Sequence, residues 1–262
     1  MENFSITKPD GKKVSCVKEI PEDAKTVVVA VHGFTSSKES STVQLLLKRL
    51  PAAGFGVVGI DLPGHGTGES LKETLRIPAA VDSIEAAEKY CLDLNPDYEI
   101  CYFASSFGAY LTAIYISTRK HKGRKAFFRS AAVNMPKLFI KENPTETEKK
   151  WLDDLEKLGY FDAALDFGAP VRINRAMFDD LQSSDLFSLF DPVRFGEHKI
   201  AMAHGEKDEL IDPEEARHFA EKFHIPAAFF PGEGHSLSNR PETPDAVIDL
   251  AEIGRASCRE RV

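Results

Sequence analysis

The sequence predicts an α/β architecture: a mostly parallel central sheet flanked by helices. Short β-branched or aromatic runs alternate with stretches of helical period, which is the rhythm of βαβ units. The best of those runs, residues 26–31 (TVVVAV), is apolar without alternation and so suits a strand covered on both faces. The chain has 262 residues, 42% hydrophobic and 28% charged, enough to bury one large core with an insertion.

The elements follow in order. Residues 4–8 and 13–17 are β-type runs on either side of Pro9-Asp10-Gly11, an opening hairpin. After strand 26–31, a helix over 42–53 carries apolar residues at helical spacing. Residues 55–62 (FGVVGIDL) return to a strand that ends in Pro63-Gly64-His65-Gly66, a cluster of turn formers. The alternation continues with a helix at 81–94, a strand at 98–104, a helix at 108–119 and a strand at 125–135. From 139 to 197 strand patterns vanish, and Asn143-Pro144-Thr145-Glu146 reads as a helix start. Seven of the eighteen Phe fall in that stretch with Trp151 and Tyr160, which marks either an apolar lid or a small core of its own. The sheet resumes at 199–203 (KIAMA), followed by a helix at 213–223, a strand at 227–230 and a last helix from 243 to 251. The core is therefore 1–138 and 199–251, with a helical cap, 139–198, inserted after the sixth strand.

Residues 252–262 (EIGRASCRERV) break the last helical run with three Arg, a Gly and a Cys in no amphipathic order. They read as a non-native tail, and their back-translation resembles a sequencing-library adapter.

Charge and cysteine usage narrow the function classes. Thirty-three Lys plus Arg against forty-one Asp plus Glu give a net charge of −8, which disfavours nucleic acid or an anionic membrane and favours a small neutral molecule. No run approaches the ~20 apolar residues of a membrane helix, and residues 1–13 lack a secretory apolar segment, so a cytoplasmic address is expected. Cys16, Cys91, Cys101 and Cys258 form neither a CxxC pair nor a disulfide framework. With no HExxH or paired-His motif, neither a metal nor another cofactor is expected.

Ala104-Ser105-Ser106-Phe107-Gly108 lies where a strand gives way to a helix, with small residues two before and two after Ser106. A serine projected from so tight a turn leaves room only for small neighbours, and the helix N-terminus favours developing negative charge. Centring on Ser105 instead would place Phe103 and Phe107 at the crowded flanks. A serine hydroxyl needs a base, and the base needs a carboxylate to hold its tautomer. His204-Gly205-Glu206-Lys207-Asp208 follows one strand and offers Asp208, with Glu206 and Asp212 as alternative acids. Gly232-Glu233-Gly234-His235 follows the next strand and offers His235 as base. The turn Val31-His32-Gly33-Phe34-Thr35 follows the first parallel strand, where the Phe34 N–H can pair with the Phe107 N–H as oxyanion donors.

Through HGFTSS, DLPGHG, ASSFG, HGEKDELI and GEGH, residues 26–251 resemble the α/β-hydrolase superfamily. Within it the chain is similar to bacterial carboxylesterases of the feruloyl or cinnamoyl type and to serine aminopeptidase-like or acylglycerol lipase-like hydrolases. The resemblance implies an α/β-hydrolase fold, Ser106, Asp208 and His235 as triad, and Phe34 and Phe107 as oxyanion pair. It makes His32, His65 and His204 loop-structuring residues. The chain departs from it in having Ala104 and Ser105 where Gly-His is frequent. A serine esterase for small aryl or acyl esters, hydroxycinnamates included, leads. Aminopeptidase or acylglycerol lipase activity is the alternative; an aminopeptidase needs carboxylates for the substrate ammonium, for which Glu142, Asp153, Asp154, Asp179 and Asp180 are candidates. A non-catalytic binding protein is a third reading, since fold alone does not guarantee activity.

Overall fold

The computed structural model describes residues 1–139, 143–164, 168–191 and 200–253, and the backbone alone at 252 and 253. Lys199, Glu142, Phe167 and Phe195 of the elements read above lie outside the described residues, as do residues 254–262 of the tail. Strands β1 (Glu2–Thr7) and β2 (Lys13–Glu19) form the opening hairpin, turned by Gly11 at φ 83. The chain then runs through β3 (Thr26–Val31), α1 (Ser41–Ala52), β4 (Gly56–Ile60), α2 (Ile77–Leu94), β5 (Glu99–Ser105), α3 (Phe107–Thr118) and β6 (Gly123–Arg129). Between β6 and the next sheet strand lie α4 (Met135–Phe139), α5 (Glu146–Leu158), β7 (Tyr160–Ala163), β8 (Val171–Asn174), α6 (Arg175–Gln182) and α7 (Leu186–Leu189). β9 (Ile200–Gly205), α8 (Pro213–Lys222), β10 (Ala227–Phe230) and α9 (Thr243–Ile253) complete the order. No described helix is long and apolar enough to cross a membrane.

The eight-stranded sheet has the order β1-β2-β4-β3-β5-β6-β9-β10, parallel from β4 onward, with the hairpin joined antiparallel through β2. All six residues of β3 are buried because side chains alternate between two covered faces. Val28, Ala30, Phe103 and Phe127 face α1 and α9, while Val27, Val29, Val31, Tyr102 and Phe128 belong to the larger core on the other side. That larger core receives α3, of which every residue but Thr118 is buried. Arg49 of α1 reaches Asp245 and Asp249 of α9, tying the two helices of the smaller face.

Three sequence expectations need correction. The strand read over 125–135 ends at Arg129, because Ser130 takes a left-handed backbone (φ 47) and turns the chain out of the ladder. Residues 131–133 are buried loop, Asn134 is half-buried, and Met135 opens a helix. The connection between β6 and β9 is not free of strands: β7 and β8 pair antiparallel, four residues each, with an alternating burial pattern too short to stand out. Helix α2 begins at Ile77, before the expected 81, with a proline in its first turn. The helix start read at 143–146 is α5, closed by a capping box between Thr145 and Glu148. On it, Trp151 stacks on Phe161 of β7 at 5.3 Å between ring centroids.

Candidate active site

The carboxyl ends of β3, β5, β9 and β10 bring the predicted residues to one place. Ser106 occupies the turn between β5 and α3 with φ 53 and ψ −117, a conformation that costs of order 1–3 kcal/mol for a residue with a side chain. The surroundings hold it there. Its N–H donates to the Arg129 carbonyl (2.9 Å), and its own carbonyl accepts from Ala109 (3.0 Å) and Ala132 (3.2 Å). A Cβ at Gly108 would strike the carbonyls of Val31 and His32, so the residue two after Ser106 must be glycine for α3 to lie against β3. Gly33 is similarly close: a Cβ there would meet Ser106 Cβ at 3.1 Å. Ser105, the competing centre, is a buried strand residue paired with Arg129.

The His235 Nε2 lies 3.0 Å from Ser106 Oγ, and its Nδ1 lies 2.8 Å and 3.0 Å from the two Asp208 carboxylate oxygens. The ring therefore bridges the serine to the acid. Its backbone is fixed at both sides, the N–H donating to Glu209 (3.1 Å) and the carbonyl accepting from Ser130 Oγ (2.7 Å). Glu233, fully buried two residues earlier, accepts from Thr243 Oγ1, Arg240 and the Asn239 N–H and so anchors the loop that follows. Gly205 has no room for a Cβ against the Glu233 and Gly234 carbonyls, which lets the β9 and β10 loops meet.

Asp208 is tied more fully than the sequence implied. Burial works against its charge, but hydrogen bonds from His204 and His235 and from the Ile211 N–H hold the carboxyl well below its usual range. The His204 Nε2 stands 3.0 Å from Asp208 Oδ2, and its buried Nδ1 has no hydrogen-bond partner among the described residues. His204 thus donates to the acid through Nε2, beyond the loop-structuring role read for it. The alternative acids stand elsewhere in function: Asp212 caps α8 by accepting from the Glu214 N–H, and Glu206 is exposed.

His32 and His65 do structure loops. His32 Nδ1 donates to the Gly33 carbonyl (2.7 Å) and Nε2 accepts from the Leu62 N–H (3.0 Å); burial lowers its pKa to about 4 against the Gly33 hydrogen bond, with the Lys38 charge adding to the lowering. His65 is lowered to about 3 by burial, with His32 beside it. Next to them Asp61, fully buried, accepts from the Lys38 N–H (2.7 Å) and Nζ (3.0 Å).

A cavity of about 690 Å³ opens beside Ser106 and His235, with Phe34, Phe103, Val247 and Ile248 in its walls. Arg129 also lines it. This partly buried guanidinium donates to the Ser236 carbonyl and has no carboxylate within salt-bridge distance among the described residues. Burial lowers its pKa to about 10, opposed by the charge of Asp208, and it remains cationic at neutral pH. A larger hollow of about 1510 Å³ lies at the opposite end of the sheet, near Tyr98 and the basic run 119–125, and contains none of these groups. The Phe34 N–H makes no hydrogen bond to a described protein acceptor, and the Phe107 N–H opens α3 with no preceding turn to bond. The connection reaches this turn: Phe139 packs edge-on against Phe34 at 5.7 Å, and the Ala169 N–H donates to Thr35.

Of the carboxylates expected to receive an ammonium, Asp180 pairs with Arg76, Asp153 with Lys157 and Asp154 with Lys150. Neither these nor Asp179 lines the cavity, and Glu142 lies outside the described residues.

Comparison with known proteins gives a family and a fold. The family model described as "Serine aminopeptidase, S33" matches residues 22–172, more than half of the chain. No curated protein matches. Among solved structures, Est1E from Butyrivibrio proteoclasticus with ferulic acid bound is similar over 97% of this chain and 100% of its own, at 18% identity and a TM-score of 0.77. A putative hydrolase from Agrobacterium vitis S4 is similar over 97% and 98%, at 17% identity and 0.75. The esterase domain of a Rhodothermus marinus protein covers the same shares at 17% identity and 0.68.

Proposed function

The chain belongs to the serine aminopeptidase S33 family of α/β-hydrolase-fold serine hydrolases, and from that membership we propose that it is a carboxylic ester hydrolase working through an acyl-enzyme on Ser106. The observation that carries this reading is the unbroken hydrogen-bonded line from Ser106 Oγ through the His235 ring to Asp208, at 3.0 and 2.8 Å. Ser106 Oγ attacks the ester carbonyl as its proton passes to His235 Nε2. Asp208, held ionised, stabilises the imidazolium and keeps Nδ1–H as the donor. The oxyanion rests on the Phe34 and Phe107 N–H groups, both free to donate there. Collapse expels the alcohol, which takes the proton from Nε2. Water, deprotonated by His235, then attacks the acyl-enzyme, and the acid leaves as Ser106 recovers its proton.

Residues 139–198 act as a cap whose Phe139 meets Phe34 at the oxyanion turn. The aromatic and aliphatic walls favour small aryl or acyl esters, feruloyl esters among them. The family name keeps an aminopeptidase in view, but three of its candidate carboxylates are already ion-paired. A small neutral aryl acetate, methyl ferulate and an aminoacyl arylamide assayed side by side test the reading. Ester turnover with fluorophosphonate labelling of Ser106 is expected; arylamide turnover alone would move the assignment to the aminopeptidase, and a folded protein with neither turnover nor labelling would make it a binding protein.

A further inference from the structure

A cation seated in an otherwise uncharged cavity needs a reason. Arg129 ends β6 in register with Ser105, and its carbonyl holds the Ser106 N–H at 2.9 Å, so the residue starts beside the nucleophile. Its guanidinium extends to the Ser236 carbonyl, next to the base. Across the walls that join these two points there is no Asp, Glu or Lys among the described lining residues, only serines, Thr42 and apolar side chains besides His32 and His235. The charge of Asp208 acts on the guanidinium only from beyond salt-bridge distance and is already engaged by His204 and His235, so no carboxylate among the described residues pairs with it. One carbonyl uses one of its five N–H donors.

We propose that Arg129 recognises an ionised carboxyl group on the substrate, so that the favoured substrates are esters carrying a second, free carboxylate. This rests on the ester-hydrolase reading and names its substrate class. A planar carboxylate matches the fork of a single guanidinium, whereas a phosphate dianion in so apolar a cavity would need a second cation that the walls do not supply. The overall charge of −8 hides this preference, because an acidic surface and a cationic cavity average together in composition.

The test compares two esters that differ only in charge, the 4-nitrophenyl monoester of adipic acid and its methyl ester. Wild type should prefer the acid by about tenfold or more in kcat/KM, mainly through KM, the scale of a charge-assisted hydrogen bond. In Arg129→Met the ratio should fall toward one, and Arg129→Lys, which keeps the charge but not the fork, should retain only part of it. Equal use of the two esters by wild type overturns the inference. So does a parallel loss on both substrates in Arg129→Met, which is what a clamp on Ser236 alone would produce. If the variants do not fold, competition decides: pentanoate should inhibit wild type while pentanamide does not, and equal inhibition overturns it. If neither ester turns over and Ser106 resists fluorophosphonate, the hydrolase reading fails separately. Pentanoate raising the melting temperature of wild type but not of Arg129→Met then still supports the anion site, and no shift removes it.

Discussion

Two buried aspartates stand beside histidines at the same edge of one sheet, and they are used in opposite ways. At Asp61 the charge is neutralised by Lys38, and the nearby His32 spends its Nε2 lone pair on the Leu62 N–H, 3.9 Å from the carboxylate. At Asp208 no lysine or arginine pairs with the carboxylate among the described residues; His204 and His235 both donate to it, and the far nitrogen of His235 faces a serine. A carboxylate paired with a cation fixes a loop. A carboxylate answered by imidazole N–H donors, with no lysine or arginine paired to it, keeps its field available for an imidazolium formed during turnover.

That contrast can be broken by mutation. Ser106→Ala or His235→Ala should lower kcat on an aryl ester by on the order of 10⁶, measured against background hydrolysis. Asp208→Asn should cost about 10⁴ in kcat while the protein stays folded by circular dichroism, since the ring loses its charged partner. Asp61→Asn should act on stability instead, by about 3 kcal/mol in denaturant unfolding, because it leaves the buried Lys38 with only the exposed Glu39 as counter-ion. If folded Asp61→Asn were as inactive as Asp208→Asn, the distinction would collapse.

The histidines sharpen it further. With folded-state values of about 4 for His32 and about 3 for His65, the unfolded chain, protonating near 6.5, binds more protons than the folded one below that pH. Stability should therefore fall as pH drops from about 6.5 toward 4, by roughly 1.4 kcal/mol per unit for each histidine, and His65→Phe should flatten the slope in urea titrations. Asp208, depressed instead, keeps its contribution through that window and loses it only as pH falls below about 4. Smallest of all, His204→Asn should lower kcat/KM by roughly tenfold, the value of one hydrogen bond to a charged group, and a full loss of activity would make His204 more than a positioning residue.

The sheet was legible because its strands are continuous apolar runs with turn formers between them, as in 26–31 and 55–62. Ser106, Asp208 and His235 were picked out by their place after strands and by the small residues around them, and the structure stands them within hydrogen-bonding reach of one another. The approach of His204 to Asp208 was hidden, because it depends on how a strand end and a turn fold back over four residues. Arg129 was hidden as well: it closes a run, AFFR, that reads only as a strand, and its importance comes from the pairing of β6 with β5 and the loop above. Four-residue strands such as β7 and β8 are too short for an alternation to be told from chance, and a left-handed Ser130 leaves no mark in the residues beside it.

The chain's single tryptophan, Trp151, is stacked on Phe161 within the connection, away from the three residues that close the line from serine to acid. Native fluorescence therefore reports the connection, while turnover of a chromogenic ester reports the closed sheet edge. Followed together through a denaturant titration, the two signals coincide if the connection and the sheet melt as one cooperative unit, and part if the connection loosens first.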